Sequence, residues 1–326
     1  GKEGSDPARV FDPETCREIL QVFLDHGHTE INTARMYCAG TSEEYLGVIH
    51  ADQMGCKVQT KIYPTVRVLL LSWQPHSAHF VDNNASGGLR KHLTGRWRHC
   101  RCRSLTCLYL HGPDSTTPHE VTLKAANDCY IERLFDRFGI SNYYSWELSE
   151  IVTLCRANGW VQPTVYQGLY NVINRSIETE LLPCLKKFGM SFYAYNPLGG
   201  GFLTGRYSKE EFAEVEKRSR FDDKRKNYRA RYFNDSTFAA LEVVRTVSES
   251  QSFSMAEVSL RWMNHHSALS KERGDSIIIG ASSVHHTIAN LDDLDKGPLP
   301  ETLPAEAELE RAWSVGKPSA SNYFHP

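Results

Sequence analysis

Ile31-Asn32-Thr33-Ala34-Arg35-Met36-Tyr37, with Gly40, Ser42, Glu43, Leu46 and Gly47 close behind, is the stretch on which the fold turns. An apolar lead-in ends in small polar residues, Tyr37 falls on a loop, Gly40 permits a tight turn, and Ser42 can cap a helix from Glu43 to Ile49. A strand end, a loop carrying a polar side chain and a new helix form the unit from which an α/β barrel builds its catalytic face. Taken alone, Tyr37 is an aromatic of the kind that decorates many surfaces. The segments around it change its meaning.

Upstream, Asp12-Pro13 opens a helix with a cap and a proline at its first position; Ile19, Leu20, Phe23 and Leu24 share one face, and Gly27 closes it. His28 to Asn32 then reads as a strand, and Lys57-Val58-Gln59-Thr60-Lys61 as a second. Further on, Leu105 to His111 is a buried strand, a helix begins at Pro118, and Phe135 to Ile140 is a strand with Ser141-Asn142 past its end. A helix spans Ser145 to Asn158, a strand ends at Val165-Tyr166-Gln167, a helix covers Ile177 to Phe188, and Met190 to Tyr195 is a strand. Helices over Thr237 to Ser250 and Met255 to His265 precede a last strand at Ser276 to Gly280 and a helix capped by Ser283. Strand and helix alternate every ~30 residues, which calls for parallel βα units and one barrel domain over 1–326. Three segments break the rhythm: an irregular insertion at about 64–104 with a helix placed only near Leu89 to Leu93, a polar excursion at about 208–234, and a tail at about 298–326 with a helix near Ala305 to Trp313.

Bulk properties narrow the function. A net charge of −2 and a pI of 6.7 give no electrostatic reason to bind nucleic acid or an acidic membrane. The nine cysteines are scattered without a CxxC pair, so they read as reduced thiols of a cytoplasmic protein, with no metal site expected even at Cys100, Cys102, Cys107 and His99. No apolar run is long enough to span a bilayer, and the first residues lack the apolar core of a signal peptide.

The polar residues at the strand ends are Asn32 and Tyr37, Lys61, His111, Ser141 and Asn142, Gln167, Tyr195 and Asn196, then Ser282 and Ser283. In a barrel they converge on one mouth. With Thr33-Ala34 before Tyr37, the Gly40/Ser42-Glu43/Leu46-Gly47 pattern, Leu108 to His111, Gly139 to Tyr143, Thr164 to Asn171 and Phe192 to Leu198, the set resembles the aldo-keto reductases, and most closely the branch containing the aflatoxin aldehyde reductases. The resemblance covers nearly the whole chain outside 64–104.

It implies a (β/α)8 TIM barrel that reduces aldehydes and ketones with NADPH. Tyr37 would be the general acid that protonates the carbonyl oxygen. A free tyrosine titrates at about 10, so the Lys61 ammonium would be needed to bring it nearer working pH. By the same resemblance, His111 would orient the substrate oxygen. Ser141, Asn142 and Gln167 would take the nicotinamide carboxamide, Tyr195 would stack on the ring, and Asn196, Pro197, Leu198 and Gly200 would line the cofactor. Arg206, Arg220 and Arg229, with Gly280, Ser282, Ser283, His286 and Asn290 at the start of the last helix, would take the phosphates; guanidinium and helix N-termini both suit phosphate. Relatives in this branch form dimers, which makes a homodimer the candidate assembly.

Three departures stand against a fully competent enzyme. The family's aspartate five residues before the tyrosine is Asn32 here, which should leave Lys61 more easily deprotonated and turnover slower. The family's first barrel strand would fall before Gly1, so the barrel is expected to have a missing or incomplete first strand. Residues 64–104 lack the family's regular helix. The alternative is therefore a weak or inactive NADP-binding barrel serving as a regulatory or interaction subunit.

Overall fold

The computed structural model describes residues 1–5, 8–63, 89–90, 93, 105–115, 117–209, 219–222, 226–300 and 305–325. They form two compact units, one of Gly1–Gln167, Cys184–Met190 and Phe324–Pro326, the other of Gly168–Pro183 and Ser191–Tyr323.

In the first unit, helix α1 (Pro13–Asp25) starts as expected, with the Asp12 carboxylate accepting from the Thr15 amide at 2.8 Å. Strand β1 (Glu30–Asn32) leads to a 3₁₀ turn (Tyr37–Gly40) and helix α2 (Thr41–Val48). Strands β2 (Lys57–Ile62), β3 (Leu105–Leu110) and β4 (Phe135–Ser141) follow, with α3 (His119–Ile131) after β3 and α4 (Ser145–Asn158) after β4. Strand β5 (Val165–Leu169) and helix α5 (Leu181–Phe188) come next in the chain. All pairing is parallel and in chain order: Ile31 lies opposite Val58, Lys61 opposite Tyr109, Tyr109 opposite Gly139, and Ser141 opposite Gln167. Strands β3 and β5 are buried on both faces, which is why β3 reads as a near-continuous apolar run, whereas β2 buries the polar Gln59, Thr60 and Lys61.

In the second unit, β6 (Ser191–Tyr195) and β7 (Ser276–Ile277) are parallel, with Tyr193 opposite Ser276. Between them lie α6 (Lys226–Tyr232), α7 (Asp235–Ser250) and α8 (Met255–His265); after β7 come α9 (Val284–Asp295) and α10 (Ala305–Gly316). Phe202, Phe221, Tyr232 and Phe238 form its aromatic core, with Phe202 and Tyr232 stacked at 5.5 Å.

The protein has the parallel α/β architecture of (β/α) barrels, with seven strands among the described residues. Several boundaries differ from expectation. Ser42 does not cap α2: Gly40 holds that position with φ of 90°, and the Ser42 hydroxyl pairs with Thr33 Oγ1 at 2.9 Å, tying the end of β1 to the helix. The 177–188 helix begins only at Leu181, because Ile177 to Glu180 form turns stapled by Arg175 and Glu178. The 208–234 excursion contains α6, whose arginines and tyrosines hid its helical period. Leu89, Arg90 and Leu93 are helical, as expected; the rest of 64–104, including Cys100 and Cys102, lies outside the described residues.

Candidate active site

The site in the first unit is built by register. Asn32 faces Gln59 across β1 and β2, and Lys61, two residues on, shares the face of Gln59. Pairing continues beyond β1: Thr33 N donates to Gln59 O at 2.9 Å and Arg35 N to Lys61 O at 3.2 Å. The chain after Asn32 is thereby held to β2 until it turns at Tyr37, whose amide donates to Ala34 O at 3.0 Å. Cys38, Ala39 and Gly40 then all take positive φ, a sharp reversal that leaves Tyr37 at the rim, 36% exposed.

Lys61 is 1% exposed. Its ammonium donates to Asn32 Oδ1 and to Thr33 O, and lies 4.9 Å from the centroid of the Tyr37 ring. The His111 ring meets Tyr37 edge-on at 5.8 Å. A phenol, an ammonium and an imidazole far apart along the chain are thus neighbours.

Beyond His111 the wall continues with Ser141 and Asn142. Asn142 takes φ of 65°, and its amide donates to His111 O at 2.8 Å and to Ser141 Oγ at 3.0 Å. Gln167 sits opposite Ser141, 2% exposed, and its Nε2 is buried without a hydrogen-bond partner. An orphaned buried amide donor costs free energy unless a ligand accepts from it. The amide of Asn32 has the same character: Nδ2 is buried and unpartnered, in a place where a carboxylate would have no proton to satisfy.

The residues assigned to the rest of a cofactor lie in the second unit. Tyr195 ends β6 and is half-buried; burial, partly countered by Arg231, pushes its hydroxyl up to about 12, so the ring stays neutral. Arg220 donates to Tyr228 Oη at 3.1 Å, and Tyr228 donates to Asn196 Oδ1 at 3.3 Å. Pro197 is buried, Leu198 is half-buried, and Gly200 lies with φ of 71° against Tyr228 and Arg220. Arg229 turns to Phe221 O at 2.6 Å and lies over Phe233.

At the start of α9, Ser283 caps the helix by accepting from the His286 amide at 3.1 Å. Ser282 Oγ is 3.0 Å from His286 Nδ1, and Arg206 Nη2 is 3.3 Å from His286 Nε2. Burial first, then Arg206 and His285, lower the His286 pKa below its ordinary value. Hydroxyls, guanidinium, imidazole and helix N-terminus together have the donor chemistry of a phosphate seat. Gly280 is exposed and Asn290 is buried on α9.

Sequence reasoning had no signal for Tyr63, Tyr228 or His325, whose roles come from where tertiary structure puts them. Among the described residues no group of three or more His, Cys, Asp or Glu could hold a metal.

The aldo/keto reductase family model matches residues 3–304. The chain belongs to that family. It is 40% identical over 308 residues to an aldo-keto reductase of Pseudocercospora fijiensis, covering 94% of this chain and 100% of the relative. It is 38% identical over 326 residues to the aflatoxin B1 aldehyde reductase member 2 of Mus musculus, covering 97% and 84%. Aldo-keto reductase pigE of Monascus ruber is 35% identical over 327 residues, covering 99% and 93%. The protein is therefore an oxidoreductase of the family that works with NAD(P)H, and none of its described helices is long and apolar enough to cross a membrane.

Proposed function

We propose that this aldo-keto reductase reduces aldehydes or ketones to alcohols with NADPH, with Tyr37 as proton donor. The observation that carries the reading is the placing of the Lys61 ammonium and the His111 ring against the Tyr37 phenol. The cofactor supplies a hydride to the carbonyl carbon. Tyr37 gives its proton to the carbonyl oxygen, favoured by the positive charge of Lys61, while His111 donates a hydrogen bond that holds the oxygen in place. Ser141, Asn142 and the orphaned Gln167 amide suit a carboxamide, whose oxygen and nitrogen offer the acceptor and donor they need. Tyr195 offers a stacking face. Arg206, Ser282, Ser283 and His286 suit the 2′-phosphate that distinguishes NADPH from NADH. The named aldehyde substrate of the mouse relative supports aldehydes as the class, and the seven cysteines recorded outside disulfides among the described residues suit a cytoplasmic setting.

The test is consumption of NADPH, followed by absorbance, with 4-nitrobenzaldehyde or succinic semialdehyde. Wild type turns over, and Tyr37→Phe loses about 10²- to 10⁴-fold in kcat. A second reading, a cofactor-binding but inactive subunit, draws on Asn32 and its unpartnered amide nitrogen. Quenching of intrinsic fluorescence by NADPH without turnover would decide for it.

A further inference from the structure

Tyr63 lies just past β2, two residues beyond Lys61, and its ring packs flat on the His111 imidazole, with centroids 4.5 Å apart and planes 22° apart. Gly112, the residue after the histidine, makes this possible. A Cβ there would stand 2.7 Å from Tyr63 Cε1, so any side chain at 112 would displace the phenol. Gly112 has no left-handed φ, so space, and not backbone freedom, is what this glycine provides.

The far end of the ring is held by the carboxyl-terminal residues of the same unit. Tyr63 Oη is 3.4 Å from His325 Nδ1, and the His325 amide donates to Asn142 O at 2.9 Å. Phe324 stacks on Tyr144 at 3.7 Å, fixing the segment. Asn142 in turn donates to His111 O, so the contacts run from His111 through Tyr63, His325 and Asn142 back to His111.

We propose that Tyr63 is a positioning residue for His111, setting the plane of the imidazole, and that Gly112 and His325 hold Tyr63 in that role. The proposal rests on the assignment of His111 to the substrate oxygen. An imidazole free to rotate about its side-chain torsions presents its N–H to that oxygen only part of the time, whereas a ring stacked on one face and met edge-on by Tyr37 keeps one plane.

The test compares wild type with Tyr63→Leu, Tyr63→Phe and Gly112→Ala in the full chain. It reads kcat and KM with 4-nitrobenzaldehyde, NADPH affinity by fluorescence quenching, and the His111 ring-proton signals by NMR. Tyr63→Leu and Gly112→Ala are expected to lower kcat about 10- to 100-fold, to leave NADPH affinity within about twofold, and to move the His111 signals downfield as the ring current is lost. Tyr63→Phe, which keeps the stack, holds the His111 signals near wild type and safeguards the test if the leucine variant folds poorly. The double variant Gly112→Ala/Tyr63→Leu should be no worse than either single one. Unchanged kcat/KM together with unmoved His111 signals in both Tyr63→Leu and Gly112→Ala overturns the proposal. If wild type shows no turnover, the carbonyl reductase reading fails by itself, and the His111 signals still decide: a shift in both variants supports the positioning role, and no shift ends it.

Discussion

The Lys61 ammonium donates to the side-chain oxygen of Asn32 and to the backbone oxygen of Thr33, and neither acceptor carries a formal charge. Each of these two bonds favours the charged form of this 1% exposed ammonium less than a bond to a carboxylate would.

Asn32→Asp should raise kcat by about tenfold. The bond to Asn32 is already charge-assisted through the ammonium, and a carboxylate turns it into an ion pair that favours the charged lysine further; ~1.4 kcal/mol of transition-state stabilisation is tenfold in rate. The change also removes the orphaned Nδ2. Steady-state kinetics of the two proteins under one set of conditions checks it; an equal or lower kcat in the aspartate variant would show that the amide costs nothing.

Gln167→Leu should weaken NADPH binding about tenfold while leaving thermal stability unchanged or higher. The glutamine's buried Nε2 has no partner in the free protein, so its loss removes a desolvation cost of ~1–3 kcal/mol along with a cofactor contact. Fluorescence quenching and a melting curve on the same sample separate the two effects, and a lowered Tm with unchanged affinity would contradict the assignment.

His286 is held below its ordinary pKa, so in the free protein the fold binds fewer protons at this site than the unfolded chain does. Its contribution to stability is intact above pH ~6.5 and is lost as pH falls through the window just below that value. A phosphate seated beside it reverses the sign and raises the pKa. NMR titration of His286 should show the upward move on adding NADPH, and Arg206→Ala should raise the pKa of the free protein and narrow the preference for NADPH over NADH by 10-fold or more, about one phosphate hydrogen bond's worth.

Gly40→Ala should destabilise the protein by ~1–3 kcal/mol. Gly40 has φ of 90°, and a Cβ there would collide with the Arg35 guanidinium, which lies 3.8 Å from the fully buried Glu43 carboxylate. Glu43 also accepts from Thr60 Oγ1 at 2.7 Å, so the disturbance reaches β2 beside Lys61. Chemical denaturation gives the loss, and a midpoint equal to wild type would mean that Arg35 moves aside freely.

Much of this was legible in the chain. The helix starts at Asp12-Pro13 and Ser283, and the stop at Gly159, could be read because caps act within one turn of the backbone. The strand ends at His111 and Ser141 could be read because buried parallel strands are apolar runs broken by polar residues, whereas β2 runs one residue past Lys61 and β5 two past Gln167, since those polar side chains sit within their strands. Ser42 misled because a serine just before a run of helix formers looks like a cap, whereas the left-handed Gly40 already holds that position and frees the hydroxyl for Thr33. The α6 helix was hidden because its two aromatics are interleaved with arginines and small or polar residues, so no hydrophobic period marks it.

By itself the sequence determined the alternation of strand and helix, the identity of the phenol, ammonium and imidazole, and the substitution of an amide at position 32, since each is written in local pattern or in residue type. Only the tertiary structure decided that the Asn32 and Gln167 amide nitrogens are left without partners, that Gly112 makes room for Tyr63, and that His325 returns to the neighbourhood of His111. Those are relations between residues up to 262 positions apart, set by strand register and packing, which no local pattern encodes.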